Sequence, residues 1–185
     1  TNLAATDQMV DSPTNNFATW NPLDHSGFTF YEGNLKVATK LSGGLCRATM
    51  SLSGKRYWEV VEIATNTTDD QRIGICWSTS PATSWLPATD NDGHIYNGNG
   101  TKEDTTGPTT YGAAFTIGDV IGVAFDADAG NLTFYKNGVS QGVAFTGLTT
   151  GDWSPVLSDA SSPASVTLTS NFGQDSSFAG NKTAQ

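Results

Sequence analysis

The stretch from Gly118 to Phe145, GDVIGVAFDADAGNLTFYKNGVSQGVAF, constrains the fold more than any other part of the chain. Val120, Ile121, Val123, Ala124 and Phe125 form an apolar run that is too short for an independent helix and rich in β-branched residues, as a buried strand requires. Asp126, Asp128, Gly130 and Asn131 then supply a turn, because Asp and Asn side chains satisfy local backbone groups and Gly admits positive φ. Leu132 and Phe134 alternate with Thr133 and Tyr135, the period of a strand with two unlike faces, and Asn137-Gly138 predicts a type I′ hairpin into a third strand, Val139 to Phe145. Two consecutive hairpins make an antiparallel meander.

The rest of the chain carries the same punctuation. Phe28–Tyr31 and Leu35–Leu41 predict a hairpin around Glu32-Gly33-Asn34, and Leu45–Leu52 a further strand. RYWEVVEI, from Arg56 to Ile63, puts Tyr57, Glu59, Val61 and Ile63 on one face and Trp58, Val60 and Glu62 on the other if no bulge intervenes. Large apolar groups on both faces predict a central strand of a packed sandwich. Arg72–Ser78 returns, with Ile73, Ile75 and Trp77 on one face. The pattern loosens from Thr79 to Thr110, where a short strand at His94–Asn97 is followed by the polar GNGTKEDTTGPTT, and resumes at Tyr111–Phe115. Trp153–Ser158 and Ser165–Phe172 are the last strands. Trp58, Trp77 and Phe134 belong to core or sheet packing, and Phe17, Trp20 and Leu23 are spaced to dip into the core from an N-terminal covering strand or strap.

Composition agrees with an all-β chain. Gly makes up 20 of 185 residues and charged residues 15%, against about 25% in average proteins, and no amphipathic helical stripe with a capping box is present. A net charge of −9 with no basic patch excludes nucleic acid as a partner and disfavours an anionic membrane surface, and no apolar run reaches the length of a membrane span. Thr1 is not an initiator Met, so the expectation is a fragment of a longer protein or a processed one. Cys46 and Cys76 lie in strands and read as buried thiols, a bridge across the sandwich being the alternative.

YWEVVEI at 57–63, IGICWS at 73–78, FTIGDVIGVAFDADAGNLTFYKNG at 115–138, VAF at 143–145, WSPVLS at 153–158 and NFG at 171–173 resemble, in order, the successive strands of the SPRY family. The resemblance covers roughly residues 28–175. It implies a two-sheet antiparallel β-sandwich of the concanavalin A-like jelly-roll type that recognises proteins or peptides through loops at one end and is not an enzyme. Residues 1–27 are then a strap on the sandwich and 176–185 a polar tail or a linker to a missing remainder. DSPTNNFATWNPLD at 11–24 and NFGQDSSFAGNKTAQ at 171–185 resemble the flanks of SPRY-type modules in virion proteins of tailed bacteriophages. That resemblance implies a particle-surface location, with synthesis in the host cytoplasm.

The chemistry expected of the chain is non-covalent. Retaining glycosidases need two carboxyl groups about 5–5.5 Å apart, whereas Glu59 and Glu62, three apart on a strand, point to opposite faces. His25 and His94 sit near no nucleophile-elbow sequence, so no catalytic residue is assigned. Asp126-Ala-Asp128-Ala-Gly130-Asn131 reads as a hairpin turn. Asp90-Asn91-Asp92-Gly93 reads as a turn, with an ion or ligand contact as the alternative. No metal and no cofactor are assigned. For ligand binding, Trp85, Tyr96 and Tyr111 are aromatic faces for a sugar or peptide, with Asp90, Asp92 and Asn97 as orienting hydrogen-bond partners, on loops 64–71, 79–110 and 146–153. The alternative for Trp85 and Tyr111 is that they plug the sandwich end.

The functional expectation is a recognition or decoration module of a phage virion, tail or capsid, whose partners are a host surface protein or glycan and other virion subunits. The alternatives are a packing module between virion subunits and an intracellular peptide-binding adaptor of the SPRY kind.

Overall fold

The computed structural model describes residues 16–39, 44–65, 71–82, 93–159 and 166–174. Among them the chain forms β1 (Trp20–Ser26), β2 (Phe28–Tyr31), β3 (Lys36–Thr39), β4 (Gly44–Ala48), β5 (Lys55–Thr65), β6 (Gln71–Trp77) and β7 (His94–Asn97). There follow β8 (Thr101–Asp104), β9 (Gly107–Thr110), β10 (Val120–Asp126), β11 (Asn131–Lys136), β12 (Val139–Phe145), β13 (Trp153–Asp159) and β14 (Val166–Asn171). They build two seven-stranded sheets, ordered β1-β4-β13-β6-β7-β8-β9 and β12-β11-β10-β5-β14-β3-β2. The pairings are antiparallel throughout.

The meander forms as its turns dictate. Asn137 and Gly138 both take positive φ, 50° and 77°, which is the type I′ geometry. Asp126 Oδ1 accepts hydrogen bonds from the backbone N–H of Asp128 and Ala129, so this carboxylate is spent on closing its own turn. The hydrogen bond from Ala129, and then the Lys55 ammonium at 3.2 Å, hold its pKa below the usual carboxylate range.

The inward faces of the two sheets share one core. Trp20, Val37, Val60, Ile75, Val123, Leu132, Phe134 and Leu157 are all fully buried in it. RYWEVVEI sits at the centre of the second sheet between β10 and β14, as its two-sided apolarity predicts. A register shift falls where Thr167 pairs with Ala64 and Leu168 with Glu62, so Ile63 is the residue that steps out of the alternation. Up to that point the alternation holds: Glu62 faces inward with Trp58 and Val60, 2% exposed and bonded to Gln71 Nε2 at 3.0 Å, while Glu59 faces outward and accepts from the Tyr57 hydroxyl at 2.9 Å. Cys46 and Cys76 are free and buried. Cys46 faces the main core, whereas Cys76 packs with Leu45, Ile95 and Val156 in a second cluster.

Several expectations are corrected. Residues Trp20–Ser26 are a strand of the first sheet rather than a strap over it, and of Phe17, Trp20 and Leu23 only Trp20 enters the core; Phe17 is 37% and Leu23 94% exposed. The polar GNGTKEDTTGPTT contains a hairpin, β8–β9, because a strand at a sheet edge has little core to face and so shows no apolar alternation. Tyr111–Phe115 is irregular, held by Gly112 N to Gly100 O at 2.9 Å and Phe115 N to Gly98 O at 2.8 Å. Trp77 is 40% exposed at one end of the sandwich. The loop at 64–71 and the loop at 146–153 adjoin opposite ends of β6 and β13, since Gln71 pairs with Asp159 and Trp77 with Trp153.

Candidate functional site: an aromatic groove at one end of the sandwich

Among the described residues, the expected loop site does not assemble. Tyr96 faces inward and is 0% exposed, with ring centroids of Tyr111, Phe115 and Phe134 between 5.2 and 5.4 Å away. Its hydroxyl donates to the Ala113 carbonyl, and burial, then the neighbouring Tyr111, pushes its pKa up to about 12. No face of the ring is left for a ligand. Asn97 is 3% exposed and spends its Nδ2 on Thr101 Oγ1 at 2.9 Å and Glu103 Oε2 at 3.0 Å, which closes the β7–β8 turn. Tyr111 is half-buried. It donates to the Gly142 carbonyl and accepts from Phe134 N at 3.3 Å, so it closes the gap between the sheet edges rather than the sandwich end. The Lys102 ammonium crosses the same gap to the Ala144 carbonyl. Together these contacts cover the free edge of β12 and spare it from pairing with another chain. Trp85, Asp90 and Asp92 lie outside the described residues.

A different concavity is formed by residues that the sequence places far apart. The ladder between β13 and β4 begins at Val156, so β13 extends past its neighbour towards Trp153. Pro155 is tolerated at that point because it has no N–H to leave unsatisfied where a ladder stops. The turn after β4 folds back over the gap, with Leu52 N donating to the Trp153 carbonyl at 2.7 Å. The opposite wall comes from the two chain segments flanking the sandwich. Thr49 N donates to Thr19 O at 2.8 Å, Gln174 Nε2 reaches Ala18 O at 3.4 Å, and Phe172 stacks edge-on against Trp20 at 5.2 Å. Gly173, at φ 108°, admits the Phe17 ring, which would lie 2.9 Å from any Cβ there.

The resulting groove of about 560 Å³ is lined by Phe17, Met50, Leu52, Tyr57, Trp58, Pro155 and Phe172, with Arg56 beside them. Phe17, Met50 and Tyr57 are 37%, 39% and 51% exposed, an apolar concentration that a lone surface residue would not explain. Trp58 is 2% exposed and its indole N–H has no acceptor among the described residues, whereas the Trp20 indole donates to Ser170 Oγ at 3.0 Å. A second groove of about 400 Å³ lies on the other side of Arg56 and Tyr57, over Ala124, Asn131, Thr133 and Val143. Tyr57 is thus a ridge between two hollows. Its hydroxyl pKa is raised by burial and by its bond to the Glu59 carboxylate. The sequence signal for this site was the outward Tyr57 beside Arg56 at the start of the strongest strand; Phe17, Met50 and Phe172 carried none.

The architecture is that of a two-sheet antiparallel β-sandwich domain with an aromatic groove at one end. The SPRY domain family model matches residues 55–175, and the chain belongs to the SPRY domain family. It is 33% identical over 88 residues to the E3 ubiquitin-protein ligase RKP of Arabidopsis thaliana, a match spanning 47% of this chain and 7% of that protein. It is 38% identical over 104 residues to the ATP-dependent RNA helicase DDX1 of Xenopus laevis, spanning 54% of this chain and 13% of the helicase. The chain therefore corresponds to a small part of the length of these relatives. Among solved structures, the SPRY domain of human HERC1 superposes with a TM-score of 0.74 at 19% identity, covering 84% of this chain and 99% of that one. The TRIM65 PSpry domain gives 0.63 at 18% identity, covering 84% and 92%. The matched family begins at residue 55, yet β1 to β4 complete both sheets, so the folded unit extends upstream of it. SPRY domains are protein-interaction modules, in general non-catalytic.

Proposed function

We propose that this chain is a non-catalytic recognition module that holds a segment of a partner protein in the groove beside Tyr57. The observation that carries this reading is the groove itself, in which Phe17, Met50 and Tyr57 stand exposed around about 560 Å³ on walls fixed by two sheets. Aromatic anchors in a rigid concave site bind with little loss of side-chain entropy, which favours recognition over chemistry. The outward Glu59 and inward Glu62 offer no paired carboxylates for hydrolysis. Selection from a random-peptide array followed by calorimetry tests the site. Binding should fall at least about tenfold in Tyr57→Ala and Phe17→Ser, each with an unchanged melting temperature; equal binding by both variants overturns the groove as the site.

The peptide-adaptor setting takes support from the ligase and helicase among the relatives. The virion setting, with a host protein or glycan as ligand, is supported by the flanks at 11–24 and 171–185 alone. Immunodetection of the parent protein in purified particles separates the two settings. Trp85, Asp90 and Asp92 remain proposed contacts on sequence grounds, tested by Trp85→Ala in the same calorimetry.

A further inference from the structure

We infer that the occupant is an extended protein segment in which a carboxylate side chain neighbours a bulky apolar one, the apolar group entering the larger groove and the carboxylate meeting Arg56. This rests on the groove being the binding site, and names its partner. Of the described residues lining the larger groove, Arg56 is the only charged one. Asp126, which lines the second hollow with Arg56, already pairs with Lys55 at 3.2 Å and closes its own turn. Glu59, on the outward face with Tyr57, accepts from the Tyr57 hydroxyl at 2.9 Å. Arg56 is exposed and has no ion-pair partner among the described residues. A guanidinium beside an aromatic wall is a fork for one carboxylate, bound by two parallel N–H donors.

The chain as a whole carries −9, which would seem to repel such a partner. Screening decides the matter. Charges more than about 8 Å apart through solvent are largely damped at physiological ionic strength, while the contact at Arg56 is not. The net charge thus excludes long acidic tracts and leaves room for a single carboxylate placed at Arg56. A cationic segment gains nothing in the groove, where the only charge among the described lining residues is Arg56. An all-apolar segment fills the walls and leaves the guanidinium without a partner. Because Arg56 and Tyr57 line both hollows, a segment that crosses the ridge places one side chain in each, with the carboxylate between them.

The test uses the full chain and four fluorescein-labelled nonapeptides of Gly, Ser and Ala that differ only at their central pair: Asp-Phe, Asn-Phe, Lys-Phe and Asp-Ala. Fluorescence polarisation should rank Asp-Phe first, with Asn-Phe and Asp-Ala each weaker by about tenfold. Arg56→Gln should abolish the difference between Asp-Phe and Asn-Phe, and Arg56→Glu should turn the preference to Lys-Phe. Equal binding of the Asp, Asn and Lys probes overturns the carboxylate preference while leaving the groove in place, provided Tyr57→Ala still weakens all three. Binding of Asp-Phe unaffected by Tyr57→Ala and Phe17→Ser sinks the groove reading itself. Absence of measurable binding to every probe overturns the proposed partner.

Discussion

Tyr57 lies across Gly122: a Cβ on that glycine would fall 2.9 Å from Tyr57 Cζ and inside the van der Waals shell of its hydroxyl oxygen. The two residues sit on neighbouring strands of the second sheet, where Gly122 pairs with Glu59 and Tyr135, and the Tyr57 ring meets Tyr135 edge-on at 6.1 Å. Gly122→Ala should therefore lift the ring, break its bond to Glu59 and destabilise the domain by about 1–3 kcal/mol. In a Tyr57→Ala background the same change should cost far less. Urea denaturation of the four proteins of this cycle measures the coupling, and strict additivity would refute the contact.

Trp20 joins the two sheets. It belongs to β1 of the first, is fully buried, and donates to Ser170 on β14 of the second. Trp20→Ala should cost about 3–5 kcal/mol and Ser170→Ala, which leaves the indole N–H buried without an acceptor, about 1–3 kcal/mol. Deleting residues 1–27 removes an edge strand and this anchor, so the product should lose cooperative thermal unfolding by calorimetry.

Asp119 gives the fold an acid limit. Burial opposes its ionisation, but Asn137 Nδ2 at 2.7 Å, Thr116 N at 2.9 Å and Lys136 at 3.1 Å together hold its pKa below the usual carboxylate range. A carboxyl depressed in the folded state contributes stability that is complete above its unfolded value of about 3.9 and is lost as pH falls through the folded value. Asp119→Ala should cost about 1–3 kcal/mol at pH 7, and the gap to the unsubstituted protein should shrink below about pH 4. Chemical denaturation at several pH values shows whether it does.

Both thiols should be inert in the folded protein. Burial pushes the Cys76 pKa up to about 11, outweighing the hydrogen bond from Arg47, and raises that of Cys46 further. At pH 8 about one Cys76 in a thousand is then thiolate, which is the reactive form. A chromogenic disulfide reagent should titrate neither cysteine in native protein and both after denaturation. Rapid native reaction of either would contradict its burial.

Local signals carried the strands well. Asn137-Gly138 predicted its turn because two positive-φ positions in a row leave few other residue choices, and RYWEVVEI predicted a central strand because both its faces are apolar. The edge hairpin β8–β9 escaped because edge strands lack that apolar code, and Tyr96 was misplaced because β7 is only four residues long and buries the adjacent Ile95, Tyr96 and Asn97 together, so no apolar alternation marks the ring as inward-facing. No local pattern states which loops share an end of the sandwich.

The sequence by itself determined an antiparallel β-sandwich, since alternation, turn residues and their spacing act over a few residues at a time, and the order of its strand motifs carried the resemblance to the SPRY family. Only the tertiary structure decided which residues share a groove. Phe17, Met50, Tyr57 and Phe172 become one groove because β4 stops short of Pro155 and the segments flanking the sandwich close over the gap. That convergence depends on long-range pairing register and on a core that holds both sheets together, which no short stretch of chain encodes.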